Sequence, residues 1–138
     1  MTAVLESSRR RGRLRGQNLR RVEVAELRAL GRLAGPMLAA DQEGDHTSLA
    51  GRITAVMNKG AASTDPQVAA TALAAMATAT ADLELPDTAA RQESLLPVWR
   101  LRLVRSARQR LQDPDLSVRA AAARALGAVR GLGAQREL

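Results

Sequence analysis

Apolar residues fall in five runs along the chain, and within each run they recur every three or four positions rather than every second one. From Asn18 the set Leu19, Val22, Ala25, Ala29, Leu30 and Leu33 shares one face of a helix, with Asn18 placed to cap it. Gly35-Pro36 is expected to end or kink this helix, because proline disfavours an α conformation in the residue before it. Met37 to Ala40 adds a further turn, and Asp41-Gln-Glu-Gly-Asp45 reads as a loop. A second helix is expected from about His46 to Asn58, with Leu49, Ile53, Val56 and Met57 inward, closed by Lys59-Gly60.

Asp65-Pro66 has the form of an N-cap followed by a first-turn proline. The third helix then runs to about Ala81 on Val68, Ala72, Ala75, Met76 and Ala79. Leu85-Pro86-Asp87 is a break, and Asp87 can start a long helix reaching Leu111 that Pro97 divides at about Leu96. Its inward set is Leu96, Trp99, Leu103, Ala107 and Leu111, with Trp99 as the aromatic anchor. After Asp113-Pro-Asp115, the last helix turns Val118, Ala122, Ala125, Leu126 and Val129 to one side, and Gly131 and Gly133 end it.

Two of these segments match each other without a gap. An offset of 50 residues lays Asp65, Val68, Ala72 and Met76 on Asp115, Val118, Ala122 and Leu126. The same offset lays Leu49 on Trp99 and Ile53 on Leu103. Val22 to Gly31 also aligns on Val118 to Gly127, both ending in Ala-Leu-Gly. The stretch Asp113 to Gly131 resembles the second helix of a HEAT-type repeat, carrying its recurring D-x-x-V-R-x-x-A-x-x-A-L-G at Asp115 to Gly127. That resemblance implies an all-α, short right-handed stack of antiparallel helix pairs, about five helices in all, with residues 18–34 as a half-repeat at one end. It also implies a surface that binds a protein partner, self-association being one form this could take.

Composition narrows the core. There are 28 Ala and 20 Leu but one Trp and no Phe or Tyr, so stability has to come from many small contacts between closely spaced helices. Val and Ile number ten and give strands little support. No apolar run approaches the length needed to span a bilayer, and the N-terminus lacks the apolar segment of a secretory signal, so a cytoplasmic protein without a membrane role is expected.

Charge is unevenly placed. Residues 1–36 sum to +6, residues 37–94 to −5 and residues 95–138 to +6, within a net charge of +7. Such a layout suits an anionic partner, or one chain's end meeting the middle of another. Residues 1–16, with Arg9, Arg10, Arg11, Arg13 and Arg15 interrupted by Gly12 and Gly16, read as a basic flexible arm ahead of a single domain over 17–138. Between Arg100 and Arg110, the side chains of Arg102, Arg105 and Arg108 point away from the apolar face, while Arg100 and Arg110 lie beside it. The arm and this strip are the candidate contacts for a protein partner or for phosphate. A sequence-independent nucleic-acid binder is the alternative function.

Catalytic chemistry finds little material. The chain has no cysteine, no tyrosine and a single histidine, His46. The cluster Asp41, Glu43, Asp45 and His46 fails as a calcium loop, with Gly44 and Arg52 at the wrong positions, and reads as a solvated acidic turn. Lys59-Gly60 has the reverse order from a phosphate-binding loop and follows a helix. Arg119 is expected to form a salt bridge within its own turn, for instance to Asp115, or to the neighbouring repeat. No enzyme activity, metal or cofactor is expected.

Overall fold

The computed structural model describes the backbone of residues 2–40, 48–81, 83 and 96–130, and the side chains from residue 18 onward within those ranges. It is all-helical over these residues. The elements are α1 (Thr2–Ala40), α2 (Leu49–Ala61), α3 (Pro66–Thr80), α4 (Val98–Arg110) and α5 (Leu116–Val129).

Capping places most of the starts. Ser48 Oγ accepts from Gly51 N at 3.1 Å, so α2 begins three residues later than the reading that started at His46, and it runs on to Ala61. Asp65 and Asp115 cap α3 and α5 in the same way: their Oδ1 atoms accept from Gln67 N at 3.0 Å and Ser117 N at 2.8 Å. The residue two before each cap completes the turn, Ser63 Oγ accepting from Asp65 N and Asp113 Oδ1 accepting from Asp115 N. The 50-residue offset seen in the sequence is thus repeated bond for bond in two turns, with a serine hydroxyl in one where the other has an aspartate carboxylate. Pro97 precedes α4 as its N-cap residue, and the part of the long helix expected before it lies outside the described residues.

α3 is the centre of the packing. It lies between α1 and α5, while α2 packs on α3, α4 packs on α5, and α2 and α4 pack on each other. The helices therefore form one row of α1, α3 and α5 and a second of α2 and α4. Being covered from three directions, α3 buries ten of its fifteen residues, among them all five expected ones, Val68, Ala72, Ala75, Met76 and Ala79. Trp99, Leu103 and Ala107 of α4 and Val118, Ala122, Ala125 and Val129 of α5 are buried as expected. Leu126 and Leu111 are only partly covered.

α1 departs from expectation in three ways. First, it begins at Thr2, so residues 2–16, expected as an arm apart from the domain, continue the same helix. Once a helix is nucleated each further residue adds a hydrogen bond, and isolated glycines such as Gly12 and Gly16 cost only about 1 kcal/mol each. Second, it runs through Pro36 to Ala40, because the turn beyond the proline is held by Leu38, which is fully buried along with Ala34. Third, it buries the other face. Val24, Leu27, Gly31, Ala34 and Leu38 face inward, while Leu19, Val22 and Leu33 are 63%, 52% and 68% exposed.

The reason lies in α3. Its face toward α1 is Ala72, Ala75 and Ala79, and α1 approaches through glycine: a Cβ on Gly31 would stand 2.8 Å from Ala75 Cα, and one on Gly35 would stand 3.5 Å from the Ala79 carbonyl oxygen. Near contact of the two backbones wins many dispersion contacts that bulkier side chains would prevent. In α2 a similar shift buries Ala50, Gly51, Thr54, Met57 and Ala61, leaving Leu49 and Val56 about half exposed on the flank away from α4. Leu49 therefore does not play the part that Trp99 plays in α4.

Candidate interaction surface

The arginines divide by what they touch. Arg100 is fully buried, and its Nε donates to the Val129 carbonyl oxygen at the C-terminal end of α5, where a cation meets the negative end of the helix dipole. Burial lowers its pKa to about 10. Arg110 performs the same office for α2: Nε donates to Ala61 O at 2.6 Å and NH2 to Ser63 O at 3.0 Å, with NH1 on Asp113 Oδ2 at 2.9 Å. Arg20 pairs with Asp65, joining α1 to the start of α3. Arg119 bends back to the Asp113 carbonyl oxygen at 3.1 Å, so it serves its own turn through backbone oxygen rather than through the Asp115 carboxylate. These four residues hold the fold together.

Arg102, Arg105 and Arg108 are all exposed, on the outer side of α4. For Arg9, Arg10, Arg11, Arg13 and Arg15 the structure gives only the backbone, in the N-terminal half of α1, and their side chains lie outside the described residues. Asp41, Glu43, Asp45 and His46 lie outside them altogether. Among the described residues no three His, Cys, Asp or Glu side chains come close enough to hold a metal ion.

A groove of about 730 Å³ runs across the row of α1, α3 and α5. Arg28 and Arg32, one turn apart on α1, form one edge; Ala70, Thr71, Ala74, Ala75 and Thr78 of α3 make the floor; and Ala121 of α5 stands at the far side. The threonine hydroxyls donate to backbone of their own helix, Thr71 Oγ1 to Gln67 O at 2.7 Å and Thr78 Oγ1 to Ala74 O at 3.0 Å. What the groove offers is a smooth floor of methyl groups beside two guanidinium groups. Small side chains let another backbone approach closely, and the planar, permanently charged guanidinium suits carboxylate or phosphate.

Two smaller hollows lie elsewhere on the described surface. One, of about 220 Å³, lies between α2 and α4, where Ser106 Oγ donates to Asn58 Oδ1 at 2.6 Å and Arg110 is already engaged. The other, of about 400 Å³, sets Glu23 and Glu26 of α1 opposite Lys59 and Val56 of α2.

Arg28 and Arg32 were not among the residues singled out from sequence. They become an edge of the groove only because α1 packs through the three-four spacing of Val24, Leu27, Gly31, Ala34 and Leu38, a second pattern present in the sequence beside the bulkier one. No family model matches the chain, and no curated protein or solved structure resembles it closely enough to count as a relative.

Proposed function

We propose that this chain is a non-enzymatic interaction module made of HEAT-like helix pairs, and that its groove takes an acidic polypeptide segment. The observation that carries the reading is the pairing of Arg28 and Arg32 with an alanine floor. The repeated turns at Asp65 and Asp115 support the repeat architecture, and stacked helix pairs serve widely as extended binding surfaces. A labelled Glu/Ala-rich peptide should bind with an affinity that falls as salt rises. Arg28→Ala with Arg32→Ala should weaken it about tenfold or more, charged contacts at a rim being modest singly and larger in pairs. Binding unchanged by the double substitution sinks the groove reading.

A second reading has its own observation. Arg102, Arg105 and Arg108 form an exposed cationic strip on α4, in the other row of helices, suited to sequence-independent contact with nucleic-acid phosphates. The two surfaces lie on different helices, so separate substitutions address them.

A further inference from the structure

The two hollows beside α2 are lined by corresponding residues. On α4, the hollow toward α2 is lined by Ser106, Gln109 and Arg110. On α2, the hollow toward α1 is lined by Val56, Lys59 and Gly60, each 50 places earlier. In the second unit this face is packed by a helix, α2 itself. The bonds from Ser106 to Asn58 and from Arg110 to Ala61 advance together along both helices, so the two run parallel. In the first unit no described helix takes the corresponding place. Val56 is 51% exposed there, and Leu49, which is 50 places before the fully buried Trp99, is 57% exposed.

The hollow of about 400 Å³ has an apolar floor of Leu27, Gly60 and Val68. The same side continues along α1 with Leu30 and Met37, and along α2 with Ile53 and Leu49. The wall on α1 is acidic, made by the exposed Glu23 and Glu26. The matching positions on α3, 46 places on, are Ala69 and Ala72; both are buried, and Ala72 lies against Gly60 of α2. Where α3 turns methyl groups toward its neighbouring helix, α1 turns carboxylates toward the uncovered side.

We propose that this hollow docks an amphipathic helix of a partner protein, lying against α1 and α2 and parallel to α2, with Lys or Arg on the flank that meets α1. The docked helix presents an aliphatic residue to Val56, which stands where Ser106 makes its bond with Asn58. Its basic residues fall in its last turns, because Glu23 and Glu26 lie level with the C-terminal turns of α2. There they meet the two carboxylates and complement the negative end of their own helix dipole, while their stems cover the apolar floor. Lys59 on the α2 rim requires a neutral or acidic opposite flank, which fixes the orientation. This site is opposite in charge to the Arg28–Arg32 groove and lies on the other side of α1, so either can fail without the other.

The probe is a labelled helical peptide of about 15 residues, with Leu along one face, Lys on one flank of its C-terminal half and Glu on the other flank. Titrated into the full chain, it should bind at least about tenfold more tightly than a scrambled peptide of the same composition. Val56→Glu should weaken binding about tenfold or more, as a charge does within an apolar contact. The melting temperature of that variant should barely move, because Val56 is half exposed. Glu23→Lys with Glu26→Lys should lose the peptide and gain affinity for one carrying Glu in place of those Lys, a rescue that an unfolded variant does not show. Arg28→Ala with Arg32→Ala should leave binding unchanged. Equal binding of patterned and scrambled peptides, indifference to Val56→Glu, charge reversal without rescue, or loss of binding with the two arginines each overturns the proposal. So does a chain that self-associates and is returned to monomer by Val56→Glu, which makes a second copy the occupant.

Discussion

Gly31 of α1 stands against Ala75 of α3 with no room for a side chain: an added Cβ would meet Ala75 Cα at 2.8 Å and Ala75 Cβ at 2.9 Å. Gly60 has the same character at the meeting of three helices, where a Cβ would be 2.8 Å from Ala72 Cβ and 3.1 Å from Leu27 Cδ1. These contacts explain how a core without Phe or Tyr reaches close packing.

Gly31→Ala should therefore destabilise the protein by about 1–3 kcal/mol, since the clash is with backbone and the helices must part to relieve it. Gly127 occupies the matching place in the Val118–Gly127 alignment yet has nothing within 4 Å of its would-be Cβ. There Gly127→Ala should stabilise α5 by about 0.5–1 kcal/mol through helix propensity. Denaturant unfolding of the two variants side by side should show shifts of opposite sign.

Asp115 should make stability sensitive to acid. Its carboxyl is held below the ordinary value of 3.8 chiefly by the hydrogen bond from the Ser117 hydroxyl, with the Ser117 N–H adding to it. The unfolded chain then binds this proton more readily than the folded one, so the contribution is present above the ordinary carboxylate value and is lost as pH falls through the lower folded value. Asp115→Asn keeps the capping oxygen and should flatten this part of the acid unfolding curve; Asp115→Ala should lower stability at neutral pH as well.

Arg110 and Arg100 should respond differently to truncation and to apolar replacement. Arg110→Ala leaves the Ala61 and Ser63 carbonyls and Asp113 without their donor, and a loss of about 2–4 kcal/mol is expected. Arg100→Ala should cost at least as much, leaving a cavity beside Val129. Arg100→Met should recover most of that loss, because it fills the volume and removes a buried charge whose NH2 finds no acceptor among the described residues. Thermal melts of the three variants check the order; Arg100→Met no better than Arg100→Ala would show that the bond to the Val129 oxygen is the larger effect.

Nucleic-acid binding has its own signature. If Arg102, Arg105 and Arg108 contact phosphates, the slope of log K against log salt should lose about 0.9 for each one replaced by alanine. Titration with random-sequence duplex at low salt measures this. No binding at all would remove the nucleic-acid reading and leave the basic surfaces to acidic protein.

Much of the architecture was legible in the sequence. The helical class followed from three-four periodicity, and the starts of α3 and α5 from Asp65-Pro66 and Asp113-Pro-Asp115, because a cap is decided by residues within one turn; that Asp115 rather than Ser117 caps α5 came from the structure. Trp99, Leu103 and Val118 could be placed in the core because each lies in its helix's one strongly apolar stripe. The exposed strip of Arg102, Arg105 and Arg108 followed from the same wheel. What the tertiary structure alone decided was which of two stripes on α1 turns inward. Side-chain bulk favours Leu19, Val22, Leu30 and Leu33, but packing energy depends on how closely the partner can approach, and the partner is the alanine face of α3. Gly31 and Ala34 fit that face and the leucines do not. That choice, set by a helix more than thirty residues away, made Arg28 and Arg32 the edge of a groove and left Leu19, Val22 and Leu33 exposed.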